Sequence, residues 1–174
     1  MSTATLPPWR SALAVVAHPD DESFALGAVI SELVGVGTTV SVLCLTRGEA
    51  STLGAVEDLS TVRTLELARA AEALGVTGHA DHARATEAAL AAAADAGLPD
   101  LGWTVPAAVA ATLNAAFDGH EPADVDVVVP VDRTRQLEAV QCHASQAVPG
   151  SVFWRRLELL GSAEHLRVLA GPAS

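Results

Sequence analysis

His18, Asp20, Asp21 and Glu22 fall within five consecutive positions, directly after the apolar run Ala12-Leu13-Ala14-Val15-Val16. An imidazole nitrogen and a carboxylate oxygen are common donors to a divalent cation, and a carboxylate beside them can take a proton from water that the cation activates. His18 and Asp21 are three residues apart across a turn into a helix, within reach of one ion. Asp20 points elsewhere and is free to act as a base. Glu22 and Ser23 read first as residues that favour a helix N-terminus. For the whole cluster, the competing reading is a solvated acidic turn.

A second group, Gly78-His79-Ala80-Asp81-His82, has His-x-x-His spacing. His82 can serve as a third ligand, and His79 can polarise a carbonyl or protonate a departing amine. Alone the pair is a weak signal, because surface helices often begin with such residues. With the first cluster it makes two histidines and a carboxylate, the ligand set of a hydrolytic metal site with one open position.

These residues need elements to hold them. Ser11–Ala17 reads as a short buried strand, Glu22–Val34 as a helix with Leu26, Val29, Ile30 and Leu33 at helical spacing, and Thr38–Leu45 as a β-branched strand. A strand–helix–strand opening implies a parallel pair, and ligands bind at the carboxyl ends of such strands. Thr46–Gly54 reads as a polar loop. Leu59–Leu74 reads as a helix whose inward stripe includes Arg63, one turn before Leu67 at the end nearest the first motif; a surface arginine is the alternative. His82–Ala94 reads as helix, Leu98–Val105 as strand and Pro106–Phe117 as helix with Pro106 in its first turn. Val125–Val131 follows as strand and Thr134–Ala147 as helix. A helical segment around Phe153–Leu160 precedes a short polar end.

The 174 residues fit one domain, 1–174. All ten basic residues are arginine, and the net charge of −11 argues against a nucleic-acid partner, which needs a basic face. The first ten residues contain no apolar signal-peptide core, and no stretch suits a membrane span, so the expectation is a cytoplasmic protein without a membrane partner. Cys44 and Cys142, in strand-like and helix-like apolar runs, read as two buried free thiols.

The segments AHPDDESFALG, VLCLTRGEAS, VRTLELARAAEALGV, GHADH and CHASQ, in that order and covering most of the chain, resemble the PIG-L/LmbE-like N-acetylglucosaminyl deacetylase family. The resemblance implies an α/β, Rossmann-like fold, a mainly parallel sheet with flanking helices. It implies a zinc-type hydrolase, with iron as the alternative metal, that removes acetyl from an N-acetylated amino sugar or related amide. It implies His18, Asp21 and His82 as metal ligands and Asp20 as general base. His79 would stabilise the oxyanion or act as acid, and Arg63 would touch substrate hydroxyl or phosphate groups. His143, inward-facing at helical spacing from Val140, reads as a packed, hydrogen-bonded histidine rather than a catalytic one.

The chain departs from the family pattern in two places. Ala80 stands where the family usually has proline. Leu74-Gly75-Val76 also runs almost directly into His79, so the fold is expected to be shortened by about one strand–helix crossover, on the order of 30 residues. The helix Leu59–Leu74 carries the chain about 20 Å from the metal end. The segment Gly75–His82, about 25 Å when extended, can return it only as a makeshift strand. Two functions follow: a metal-dependent deacetylase with a shortened fold, or a non-catalytic relative that keeps part of the metal site as a binding or assembly protein. An apolar flank exposed by the missing crossover would favour a homo-oligomer.

Overall fold

The computed structural model describes residues 4–46, 66, 69, 77–79, 93–117 and 124–170. The chain divides into two compact units, one of Pro7–Ala89 with Asp132–Val148, the other of Met1–Leu6, Leu90–Val131 and Pro149–Ser174.

In the first unit, β1 (Ser11–Val16), β2 (Thr39–Cys44) and β3 (Thr77–His79) form a parallel sheet in the order β1-β2-β3. Val40, Val42 and Cys44 alternate inward along β2, as a period of two requires. They pack with Val16 and with Ala28, Val29, Ile30 and Leu33 of the crossover helix. Gly37, at φ 90°, makes the turn back into β2, where a Cβ would be strained. β3 pairs Gly78 with Val42 and His79 with Leu43, so Thr77–His79 of that segment is strand. The expected α/β class, with a parallel sheet and helices, is therefore present.

The helix expected over Glu22–Val34 is instead two, α1 (Asp21–Phe24) and α2 (Gly27–Gly35). A continuous helix would offer the Ser23 carbonyl to the Gly27 N–H. Here Gln136 Nε2 donates to that carbonyl from 2.9 Å. Gln136 belongs to α4 (Thr134–Cys142), which packs on α1 and α2 and is fully buried at this residue. α4 also stops short of the expected Ala147. After Cys142 the chain turns, with the N–H groups of Gln146 and Ala147 both donating to the His143 carbonyl.

The second unit holds β4 (Asp100–Trp103), α3 (Ala107–Asn114), β5 (Val127–Pro130), α5 (Val152–Leu160) and β6 (Ala163–Ala170). Its sheet has the order β4-β6-β5, antiparallel throughout. Leu113, Ala110 and Val105 form its core with Trp103, Val109, Val152 and Leu159. The central strand β6 replaces the short polar end expected from sequence. Its buried Glu164 has a partner: Trp103 Nε1–H donates to Glu164 Oε2 over 2.8 Å, across the β4–β6 pair.

Candidate metal and acid–base site

β1 and β2 end side by side, Val16 in register with Cys44. The carbonyl of Ala17 accepts both the N–H of Thr46 (3.1 Å) and its hydroxyl (2.9 Å), which joins the two strand ends. The chain then reverses within four residues. The His18 N–H donates to Asp21 Oδ2 (3.0 Å), and the Asp21 N–H donates to the His18 carbonyl (3.2 Å). His18 Nδ1 lies 3.4 Å from the same Asp21 oxygen, and both side chains are partly exposed. One imidazole nitrogen and one carboxylate oxygen thus converge at the strand end, which fits a borderline divalent cation such as zinc.

Between them sits Asp20, with φ 145° and ψ −28°, the one non-glycine residue of positive φ among those described. Such conformations cost roughly 1–3 kcal/mol and persist where the surroundings enforce them. The Asp20 carbonyl accepts the N–H groups of Ser23 (2.9 Å) and Phe24 (2.7 Å), which starts α1. Its own N–H donates to Glu22 Oε2 (2.9 Å).

Glu22 is fully buried and does more than favour a helix start. Its Oε1 accepts from the Ser23 hydroxyl (2.7 Å) and from His143 Nε2 (2.6 Å), and His143 is itself fully buried. His143 is thus the packed, hydrogen-bonded histidine that its inward spacing predicts. Two residues on, the N–H and hydroxyl of Ser145 donate to Glu66 Oε1 and Oε2 over 2.9 and 2.6 Å. Segments far apart in sequence are thereby tied together. Glu22 and Glu66 have no local signal of these roles; the inward phase of His143 was the available clue.

The acidic turn bears on Cys44 beneath it. Burial pushes this thiol up to about 11, and the negative charges of Glu22, Asp21 and Asp20 push the same way, against a hydrogen bond with the Thr46 backbone.

Of the second motif, the structure places the His79 backbone at the same carboxyl end of the sheet, opposite Leu43 and next to the Val16–Cys44 level. Arg63 and His82 lie outside the described residues. Among the described residues no group of three or more His, Cys, Asp or Glu side chains converges as a metal cluster. Nor, among them, is any helix long and apolar enough to cross a membrane.

The family model for PIG-L, GlcNAc-PI de-N-acetylase, matches residues 13–148. A 1D-myo-inositol 2-acetamido-2-deoxy-α-D-glucopyranoside deacetylase of Kineococcus radiotolerans is 44% identical over 80 residues, 40% of this chain and 21% of that protein. The chain thus spans about a fifth of that relative's length. The A40926 pseudoaglycone deacetylase Dbv21 shares the fold at TM-score 0.68 and 19% identity, over 97% of this chain and 100% of that one. The 4-carboxy-2-hydroxymuconate hydratase GalB of Pseudomonas putida KT2440 also shares it, at TM-score 0.57 and 17% identity, over 95% and 98% of the two chains. The same fold therefore serves proteins named for different chemistries.

Proposed function

The chain belongs to the PIG-L family of GlcNAc-PI de-N-acetylases, and from that premise we propose that it is a metal-dependent hydrolase removing acetyl from an N-acetylated amino sugar or related amide. The fold we assign it is Rossmann-like, shortened by about one crossover before His79. His18, Asp21 and His82 would hold a divalent cation, zinc in the first instance and iron as the alternative. When bound, such a cation polarises an amide carbonyl and makes water a nucleophile near neutral pH.

The chain's own residues supply the rest. Asp20 accepts the proton of the attacking water, so that oxygen bonds to the acetyl carbon. The C–N bond then breaks, a proton goes to the amine nitrogen, and acetate and the free amino sugar leave. His79 donates to the carbonyl oxygen or to the departing amine, and Arg63 pairs with a substrate hydroxyl or phosphate. The observation that supports this reading most is the convergence of His18 Nδ1 and Asp21 Oδ2, 3.4 Å apart, with Asp20 held on the strained turn between them.

The test is acetate release from a panel of N-acetyl amino sugars with zinc supplied. Asp20→Ala should lower the rate by at least about 100-fold while bound zinc, measured by metal analysis, stays at the wild-type level. A variant within tenfold of wild type would remove Asp20 from the role of base. Wild-type protein that binds zinc and releases no acetate would favour the second reading, a non-catalytic relative. What supports that side is the sequence, in which Leu74-Gly75-Val76 runs almost directly into His79.

A further inference from the structure

Asp20 is held in an unfavourable backbone conformation, and something must hold it. Its N–H ends on Glu22 Oε2 at 2.9 Å, so the conformation of the turn depends on where the Glu22 carboxylate is fixed. Glu22 is 0% exposed, and a buried carboxylate is costly unless donors surround it. Three donors do: the Asp20 N–H, the Ser23 hydroxyl and the His143 ring. Two of them come from Glu22's own turn and would move with it. His143 is the one brought from a distant element, 121 residues away in sequence.

His143 is itself anchored. Its carbonyl accepts two N–H groups of the turn that follows α4, and Ser145 in that turn is clamped by two hydrogen bonds to buried Glu66. The Phe24 ring meets the imidazole edge-on at 5.9 Å between centroids. With Nε2–H donating to the carboxylate, the enclosed Nδ1 has no partner among the described residues.

We propose that His143 and Glu22 are a buried positioning pair for Asp20: the imidazole fixes the carboxylate, and the carboxylate fixes the N–H of the strained residue. The proposal rests on the reading above that Asp20 is the base, and it assigns His143 no contact with substrate. Its role is to hold a backbone geometry that the turn would not keep alone.

Residue-resolved amide hydrogen exchange on the full chain with zinc supplied tests this, alongside acetate release. In His143→Leu the Asp20 amide should exchange at least about tenfold faster, with the β2 amides Val40 and Val42 unchanged. The kcat should fall about tenfold with KM held, since substrate contacts are untouched. His143→Gln, which returns an N–H donor, should recover most of both. A merely structural role would speed exchange across β2 as well, and activity would follow the folded fraction; that outcome overturns the proposal. So does unchanged Asp20 exchange in folded His143→Leu. If the leucine variant does not fold, His143→Asn, whose shorter amide stops short of Glu22, decides by the same two readouts. If wild-type protein releases no acetate, the hydrolase reading falls by itself. The Asp20 exchange rate then sustains or overturns the His143–Glu22–Asp20 link on its own.

Discussion

Cys44 shows what burial does to a thiol, with the acidic turn adding to it in the same direction. It is 2% exposed, its Sγ lies 3.2 Å from the Thr46 carbonyl, and its pKa is raised to about 11. Against an ordinary thiol near 9 this leaves about 100-fold less thiolate at any pH well below both values. A disulfide reagent at pH 8 should therefore modify half-buried Cys142 first and Cys44 only on unfolding; rapid labelling of both in the folded protein would contradict the assignment. The sign for stability follows from the same shift. The unfolded chain loses the Cys44 proton near 9 and the folded chain near 11, so the folded state binds more protons between them. Stability should thus fall as pH rises through that window. At this scale the legible part of the site was the contiguous part. His18, Asp20 and Asp21 announce themselves because their spacing is local. The burial of Glu22 does not, because its partner His143 arrives from another element and charge pattern alone reads such a glutamate as a helix-start residue.

Elements were legible wherever period and burial agreed. β1, β2 and α5 fall within a residue or two of their expected ends, because Val40, Val42 and Cys44 or Phe153, Leu157 and Leu160 repeat at the strand or helix period. The errors come where a distant side chain overrules local preference. The break between α1 and α2 coincides with the Gln136 contact, and buried Glu164 interrupts the apolar pattern of β6. The Gln136 contact allows a test in which two principles oppose each other. Alanine is the better helix former by about 1 kcal/mol, so Gly27→Ala should stabilise an isolated α2. A Cβ at Gly27 would instead lie 2.9 Å from Gln136 Cγ and 3.3 Å from its Cβ. Gln136 cannot easily yield, since its amide is held by Ser23 and by Arg133. The overlap should win, with Gly27→Ala costing about 1–3 kcal/mol in denaturant unfolding. In a Gln136→Ala background most of that cost should vanish. A stabilised single variant would show that α2 and α4 are not pressed together at this point.

For the whole molecule, the question is whether the three proposed ligands, His18, Asp21 and His82, act as one site. Ligand binding to the folded state alone raises stability by RT ln(1 + [L]/Kd), about 2.7 kcal/mol at 100 times Kd. In a chain of this size that shifts the thermal midpoint by roughly 5–11 °C. Zinc in excess should thus raise the wild-type midpoint by several degrees, and a chelator should return it and abolish acetate release until zinc is restored. Magnesium should not substitute, because it keeps its water and prefers oxygen donors. His18→Ala and Asp21→Asn should each lose the zinc-induced shift. His82→Ala is the informative variant: a lost shift makes His82 the third ligand, whereas a full shift removes it from the site. The shape of the transition bears on organisation too. A one-domain chain over 1–174 should unfold in a single step that zinc moves as a whole. Separate transitions for the two compact units, with zinc moving only the unit of Pro7–Ala89 and Asp132–Val148, would instead confine the metal-linked stability to the elements that carry the turn.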